Sequence, residues 1–502
     1  MTIFCSRRQA VRRARIVGST TSRVAILAVV AIAVSLSSLA ARAETGEVPA
    51  PPPPIRDALL PYLDARHVAL PASAELRALR SRRIPGFSRQ TKLACSACHY
   101  GFPQLTPFGR LFKLNGYTLT GLTTIDAGDT SRSSLKLAPF PPISAMAVAS
   151  LTHLTTALPG TQNNSAVFPD QLSVFLAGEI TPRLGAFVQL TYAAPDGSIG
   201  LDNTEFRFAD RTHLFSQELL FGVTLNNNPT MQDVWNTVPA WSFPFMTSSA
   251  APTPTASTMV EGALGQQVVG LGGYGLWHQL VYAEVTAYRS AQQGVSSPLD
   301  GSGGNVAHNV IPYWRVALQH KFGPTYFMLG TYGLSARLYP TGISGPTDQY
   351  SDAAADLQIE QPVNQGVVVV RSTFIHESQT LNALVIGDEP GASNLHNTLK
   401  VFRANASYMP STRATFTLGY FNTTGTSDLL LYPSDPITGS AIGSPQSYGG
   451  IGEFDFNAWQ NTRLGLQYTV YGKFNGASNS YDGAGRNATD NNTLFLFAWV
   501  AF

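Results

Sequence analysis

Five consecutive residues carry the most specific chemistry in this 502-residue chain. Cys95-Ser96-Ala97-Cys98-His99 sets two thiols three positions apart and places an imidazole directly after the second. Thiols at that spacing reach the two vinyl groups of one haem, and the next residue offers a ring nitrogen to the iron from the same backbone turn. C-x-x-C-H therefore reads as c-type haem attachment. Two other chemistries use C-x-x-C. A zinc site needs further Cys or His ligands at suitable spacing, and the remaining cysteine is Cys5. A redox dithiol needs no following His and usually sits in a βαβ context, which is missing around this motif. One motif predicts one covalently bound haem c, with Cys95 and Cys98 as thioether donors and His99 as the proximal iron ligand.

The second axial ligand is less constrained. His67, Met146 and His153 are the nearest His or Met residues in sequence, and each also reads as an ordinary surface or strand residue. A Met ligand would raise the potential relative to a His pair. After the motif, residues 106–116 predict a short helix, with Thr106 as N-cap, Pro107 in the first turn and Gly116 as the stop. Phe108, Leu111 and Phe112 fall on one face, where Phe108 and Phe112 are expected to pack on the macrocycle. Arg110 and Lys113 leave that face. They are candidates for the haem propionates, since Arg suits carboxylate recognition, or for an ordinary solvated face.

The elements ahead of the motif read as export machinery. Arg7, Arg8, Arg12, Arg13, Arg15 and Arg23 precede an apolar run, Val24 to Ala40, and then Ala41-Arg42-Ala43. A basic region, an apolar region and an A-x-A site form a signal peptide, predicted at 1–43. A Pro-rich spacer follows at 44–55, and a haem domain at 56–140 with a further helix over 74–82. Removal of 1–43 takes Cys5, seven Arg and no acid, and turns a formal +2 into 26 basic against 31 acidic residues. That balance gives no support to nucleic-acid binding, which needs a concentrated basic face.

From 141 to 502 the pattern changes to alternation. Ala414, Phe416, Leu418 and Tyr420 alternate with Arg413, Thr415, Thr417 and Gly419, and Leu464, Leu466, Tyr468 and Val470 with Arg463, Gly465, Gln467 and Thr469. Period two is a strand with one oily face. Sixteen candidate strands are counted: 143–153, 171–180, 185–193, 203–209, 218–225, 262–275, 277–288, 311–320, 325–338, 351–360, 365–375, 399–408, 413–422, 450–458, 462–472 and 492–502. Short turns alternate with long loops between them, as in outer-membrane barrels. The predicted class is mainly β: an antiparallel outer-membrane β-barrel of about sixteen strands, preceded by a small α-helical c-type haem domain. Only 13% of residues are charged, against roughly 25% in soluble domains, as expected when half of each strand faces lipid. No G-x-S-x-G, H-E-x-x-H or P-loop supports a hydrolase or transferase.

The stretch from Pro85-Gly86-Phe87 through Cys95-Ser96-Ala97-Cys98-His99, then Phe102-Pro103, Leu105, Phe108-Gly109-Arg110, Phe112-Lys113 and Gly116-Tyr117, resembles the outer-membrane fusions of a monohaem cytochrome to a porin. Some of those oxidise ferrous iron outside the cell. The resemblance is close over 85–117 and extends to the barrel in architecture alone. It implies a haem at or inside the periplasmic mouth of a barrel. Electrons would pass between an extracellular reductant, ferrous iron being one candidate, and a periplasmic cytochrome or other carrier, with lipid of the outer membrane around the barrel. It supplies neither a distal ligand nor an iron-binding residue.

The loop 226–261 is the third outside loop by this count. In many porins that loop folds inward, which would place Asp233, Trp235 and Trp241 along a narrow lumen. The plainer expectation is a structured surface loop with an aromatic core. Two functions remain open at this point. One is an electron conduit. The other is a porin-like solute channel whose haem-bearing segment is a plug or redox gate, which an empty polar lumen would favour.

Overall fold

A computed structural model describes residues 85–119 without 92, the backbone of the paired segments Ile125–Ala127 and Leu135–Leu137, and 142–502 without 194–196, 291–305, 341–342, 365 and 388. The predicted signal peptide, the spacer, the helix over 74–82 and His67 lie outside the described residues.

Sixteen strands close into one antiparallel barrel. They are β1 Ile143–Leu154, β2 Ser165–Thr181, β3 Leu184–Ala193, β4 Ser198–Leu214, β5 Gln217–Asn226, β6 Val268–Trp277, β7 Val281–Ser290 and β8 Ile311–Phe322. The second half comprises β9 Thr325–Tyr339, β10 Asp348–Val363, β11 Gly366–Thr380, β12 His396–Ser411, β13 Ala414–Gly425, β14 Ser447–Trp459, β15 Thr462–Lys473 and β16 Thr493–Ala501. A two-residue strand, Val306–Ala307, adds to the end of β9. β16 pairs with β1 from Thr493 opposite Leu154 to Ala501 opposite Met146, so no edge is left unpaired.

The alternation faces the opposite way from a soluble sheet. On β13 the polar Thr415 and Thr417 are buried, whereas Phe416, Leu418 and Tyr420 point outward, Leu418 with 73% of its surface exposed. On β15, Arg463 and Gln467 are buried while Leu464, Leu466 and Tyr468 are exposed. On β10 the inward set is Asp348, Asp352, Ala354, Asp356, Gln358 and Glu360. An apolar exterior around a polar interior, on a closed barrel, is the arrangement of a membrane-spanning β-barrel. Among the described residues, no helix is long and apolar enough to cross a membrane.

The strand boundaries differ from expectation in several places: β2 and β4 run well beyond the expected 171–180 and 203–209. The sixth and seventh strands begin at Val268 and Val281 rather than at 262 and 277. The apolar Ala263 and Leu264 pack with the inward loop and are not strand residues. The turn between the two strands uses His278 and Gln279, both at positive φ (50° and 55°), a position where Asn and Gly are the usual signal.

Inside the barrel lies helix α3, Pro107–Leu114, preceded by α1, Gly86–Thr91, and the single turn α2, Cys95–Cys98. The apolar core of this segment is shared with the barrel and its loop. Ala97, Phe108, Leu111, Phe112, Leu114 and Tyr117 cluster with Trp235, Leu220, Tyr274, Leu276, Tyr282 and Met328. The loop 227–267 also turns inward, which overturns the surface-loop expectation. Met231, Val234, Trp235 and Val238 are all buried, and Gln232 Nε2 donates to Tyr288 Oη at 3.0 Å on the wall. The lumen at this level is closely packed: Arg207, Arg315 and Arg371 point inward and are 0%, 1% and 1% exposed.

Candidate functional site

The motif is held by one side chain. Thr106 caps α3 by accepting from Gly109 N at 3.1 Å. Its hydroxyl donates to Ala97 O at 2.7 Å and its own N–H donates to Cys98 O at 2.9 Å. One residue thus ties the turn bearing both thiols to the helix after it. Gly109 lies against that turn, and a Cβ there would meet Cys98 O at 2.2 Å, a backbone atom that cannot swing aside. Gly109→Ala is expected to cost about 1–3 kcal/mol through overpacking and to unseat the motif. Faster amide exchange over 94–99, with unchanged exchange in the barrel strands, checks it. Protection equal to wild type counts against the packing account.

At the far end, α3 stops at Gly116, whose φ of +73° suits Gly, and whose missing Cβ leaves room for Arg207 O at 2.7 Å. The last carbonyls of α3 are satisfied by the wall: Tyr274 Oη donates to Leu114 O at 2.6 Å and Arg207 Nη1 to Lys113 O at 3.4 Å.

His99 Nδ1 lies 3.3 Å from Pro103 O. A carbonyl only accepts, so Nδ1 carries the proton and the Nε2 lone pair is left for a metal, the usual arrangement of an iron- or zinc-binding imidazole. Burial pushes His99 down to about 4, against the pull of the Pro103 and Gln104 carbonyls, so the ring is neutral at neutral pH. Burial also raises both thiols, Cys98 to about 12 with help from Cys95, and Cys95 in the same direction. A redox C-x-x-C pair has a lowered thiol pKa instead. Both cysteines are free of a disulfide.

The two thiols and His99 line one cavity of about 630 Å³, within the ~300–1,000 Å³ of cofactor pockets. Phe87, Leu93, Leu105, Phe112, Tyr117 and Trp499 supply apolar walls. It opens at the short-turn end of the barrel, where the turns 412–413 and 460–461 and the ends of β1 and β16 meet it. Lys113, Asp233, Asn236 and Trp241 form its inner end. Two free thiols and a neutral imidazole on an apolar pocket of this size fit a haem c.

Several sequence candidates are placed elsewhere. Phe112 lines the cavity, but Phe108 points into the shared core. Arg110 is not on the cavity wall; it is ion-paired with Glu360 on β10, its Nη2 3.4 Å from Oε2, and its guanidinium lies over Tyr326. Lys113 reaches the cavity, yet its Nζ donates to Met231 O at 2.7 Å and Asp233 O at 2.8 Å. The reason is common to both: α3 lies inside the barrel, so its cations meet wall carboxylates and loop carbonyls. Met146 faces the lumen among Phe495, Phe497 and Trp499 and does not line the cavity. His153 lies near the opposite end of β1, its Nδ1 2.7 Å from Asn163 O. Among the described lining residues His99 is the one imidazole, and no Met is present. Trp499, Arg463, Arg413 and the turn after β14 were not foreseen. They are hundreds of residues from the motif and carry no local signal; barrel closure alone brings them there.

No family model matches the chain, and none of the curated proteins matches it. Among solved structures it is similar to OmpF of Salmonella typhi in complex with daunomycin, at 11% identity over 72% of this chain and 97% of that one, with a TM-score of 0.45. It is also similar to OmpT, an outer membrane protein of Vibrio cholerae (11% identity, 72% and 96% covered, TM-score 0.38). A third is the outer membrane channel DcaP of Acinetobacter baumannii (10%, 72% and 96%, 0.39).

Proposed function

We propose that this chain is an outer-membrane electron-transfer protein: a β-barrel carrying one haem c in its short-turn mouth. The observation that carries the reading is the single cavity wall shared by Cys95, Cys98, His99 and the barrel's own Trp499 and Arg463. A haem c bound there would supply reversible one-electron chemistry at its iron. The residues of this chain do the rest. Cys95 and Cys98 would hold the group covalently, and His99, its Nδ1 proton pinned to Pro103 O, would present Nε2 to the iron. Phe87, Phe112 and Trp499 exclude water from that face. The inward loop and the buried Arg–carboxylate pairs fill the lumen, so the barrel surrounds a redox group with protein instead of lipid. The donor in this reading is an extracellular reductant such as ferrous iron, and the acceptor a periplasmic cytochrome or other carrier.

The second reading is a solute channel with a plug. Sixteen strands enclose a lumen wide enough for an aqueous path, and that count supports it. Proteoliposomes decide between the two. With the purified chain inserted, an impermeant donor outside is expected to reduce a soluble cytochrome trapped inside, and planar bilayers to show no large open steps. Large, persistent conductance with no internal reduction would overturn the conduit and favour the channel.

A further inference from the structure

The carboxylate edge of a bound haem needs a cation, and the cavity wall presents three. Lys113 is already used by the carbonyls of Met231 and Asp233. Arg463 is already paired: it donates to Asp455 Oδ1 and Oδ2 at 2.8 and 2.7 Å, to Glu453 Oε1 at 2.8 Å and to Phe102 O at 2.8 Å, four of its five N–H groups. That group has two carboxylates to one guanidinium. Arg413 is different. It sits exposed in the turn between β12 and β13, and its guanidinium makes no hydrogen bond or ion pair among the described residues.

The turn that carries Arg413 is itself well fixed. Asn457 N donates to Arg413 O at 2.7 Å and Asn457 Nδ2 to Thr412 O at 2.9 Å, which ties it to the end of β14. The next turn is anchored by Asn461 Nδ2 to Ala501 O at 2.8 Å. It presents Gln460 to the same cavity, exposed and with no side-chain partner among the described residues. A rigid backbone with a free cation and a free amide donor suits a planar carboxylate.

We infer that Arg413, with Gln460 beside it, anchors the haem propionates at the short-turn rim of the barrel, and that Arg110 and Lys113 of α3 do not. The inference rests on the haem reading above. It orients the group: the thioether edge faces the motif, and the charged edge faces the aqueous mouth, where leaving water costs a carboxylate least. The remaining titratable groups on the wall are Tyr100, Tyr117, Asp233, Lys113, Arg463 and the motif's Cys95, Cys98 and His99.

The test is redox potentiometry of the purified full-length chain from pH 5 to 9, for wild type, Arg413→Gln and Arg413→Lys, after covalent haem has been counted in each. A neighbouring cation lowers a carboxylate pKa by about 1–3 units. In Arg413→Gln the propionate-linked step in potential should therefore move up by about one pH unit, a tenfold change in proton affinity. The potential above that step should also fall, because a positive charge that disfavoured the ferric state is gone. Arg413→Lys should restore most of both, and the resonance Raman propionate bending band should shift in Arg413→Gln. Wild-type chain without covalent haem overturns the haem reading and the anchor with it. Haem present, with the potential, its pH step and the Raman band unmoved in Arg413→Gln, overturns the anchor alone.

Discussion

Cys95→Ala combined with Cys98→Ala is expected to remove covalent haem entirely and electron transfer with it, while the barrel still folds. Each thioether is a covalent bond, and no hydrogen bond of the sixteen-strand ladder runs through either thiol. The motif turn is held by Thr106 and Gly109 through backbone groups that the substitution keeps. Haem staining after denaturing electrophoresis, with the heat-dependent mobility shift of an intact barrel on the same gel, reads both outcomes. Covalent haem in the double variant, or its absence from the wild type, would sink the attachment proposal.

The second large effect belongs to a residue that the sequence motif does not contain. Glu360→Ala should destabilise the seating of the motif segment by about 3–5 kcal/mol, the usual cost of leaving one partner of a buried ion pair alone. Glu360 on β10 accepts from Arg110 of α3 and, at 3.0 Å, from Tyr100 Oη just after the motif. Its loss strands a buried guanidinium and a half-buried phenol together. Removing both charges, as Glu360→Gln with Arg110→Met, should recover much of the loss, because the cost is the unpaired charge and not the missing attraction. Hydrogen exchange over 95–117 reports it, with barrel strands as the internal reference. Equal protection in Glu360→Ala and wild type would show that the pair contributes little to docking.

Much of the barrel could be read from local pattern. All sixteen predicted strands have counterparts, because a side-chain period of two is a property of neighbouring residues and survives any tertiary context. Expectation drew β2 and β4 too short, and at the sixth strand it took in apolar residues that serve a different partner: Ala263 and Leu264 pack with the inward loop and not with lipid. The helix after the motif was equally local, and Thr106, Pro107 and Gly116 occupy the expected cap, first-turn and stop positions.

The site was divided in the same way. Cys95, Cys98 and His99 share a cavity because five residues of chain leave them no other choice. The fates of Arg110, Lys113, Met146 and His153 followed from none of their neighbours. Arg110 finds its carboxylate 250 residues away, and His153 lies at the far end of a strand whose first residues meet the cavity.

The amino-acid order alone carries the proposal of haem attachment and determines the helix caps and the alternation, since each depends on atoms a few residues apart. Folding into a closed barrel settled three further things. It turned the oily faces outward, set the third loop across the lumen, and completed the cavity with Arg413, Arg463 and Trp499. Those outcomes depend on sixteen strands meeting in register and on β16 joining β1. No window of sequence contains both partners of such a contact, so no local pattern encodes it.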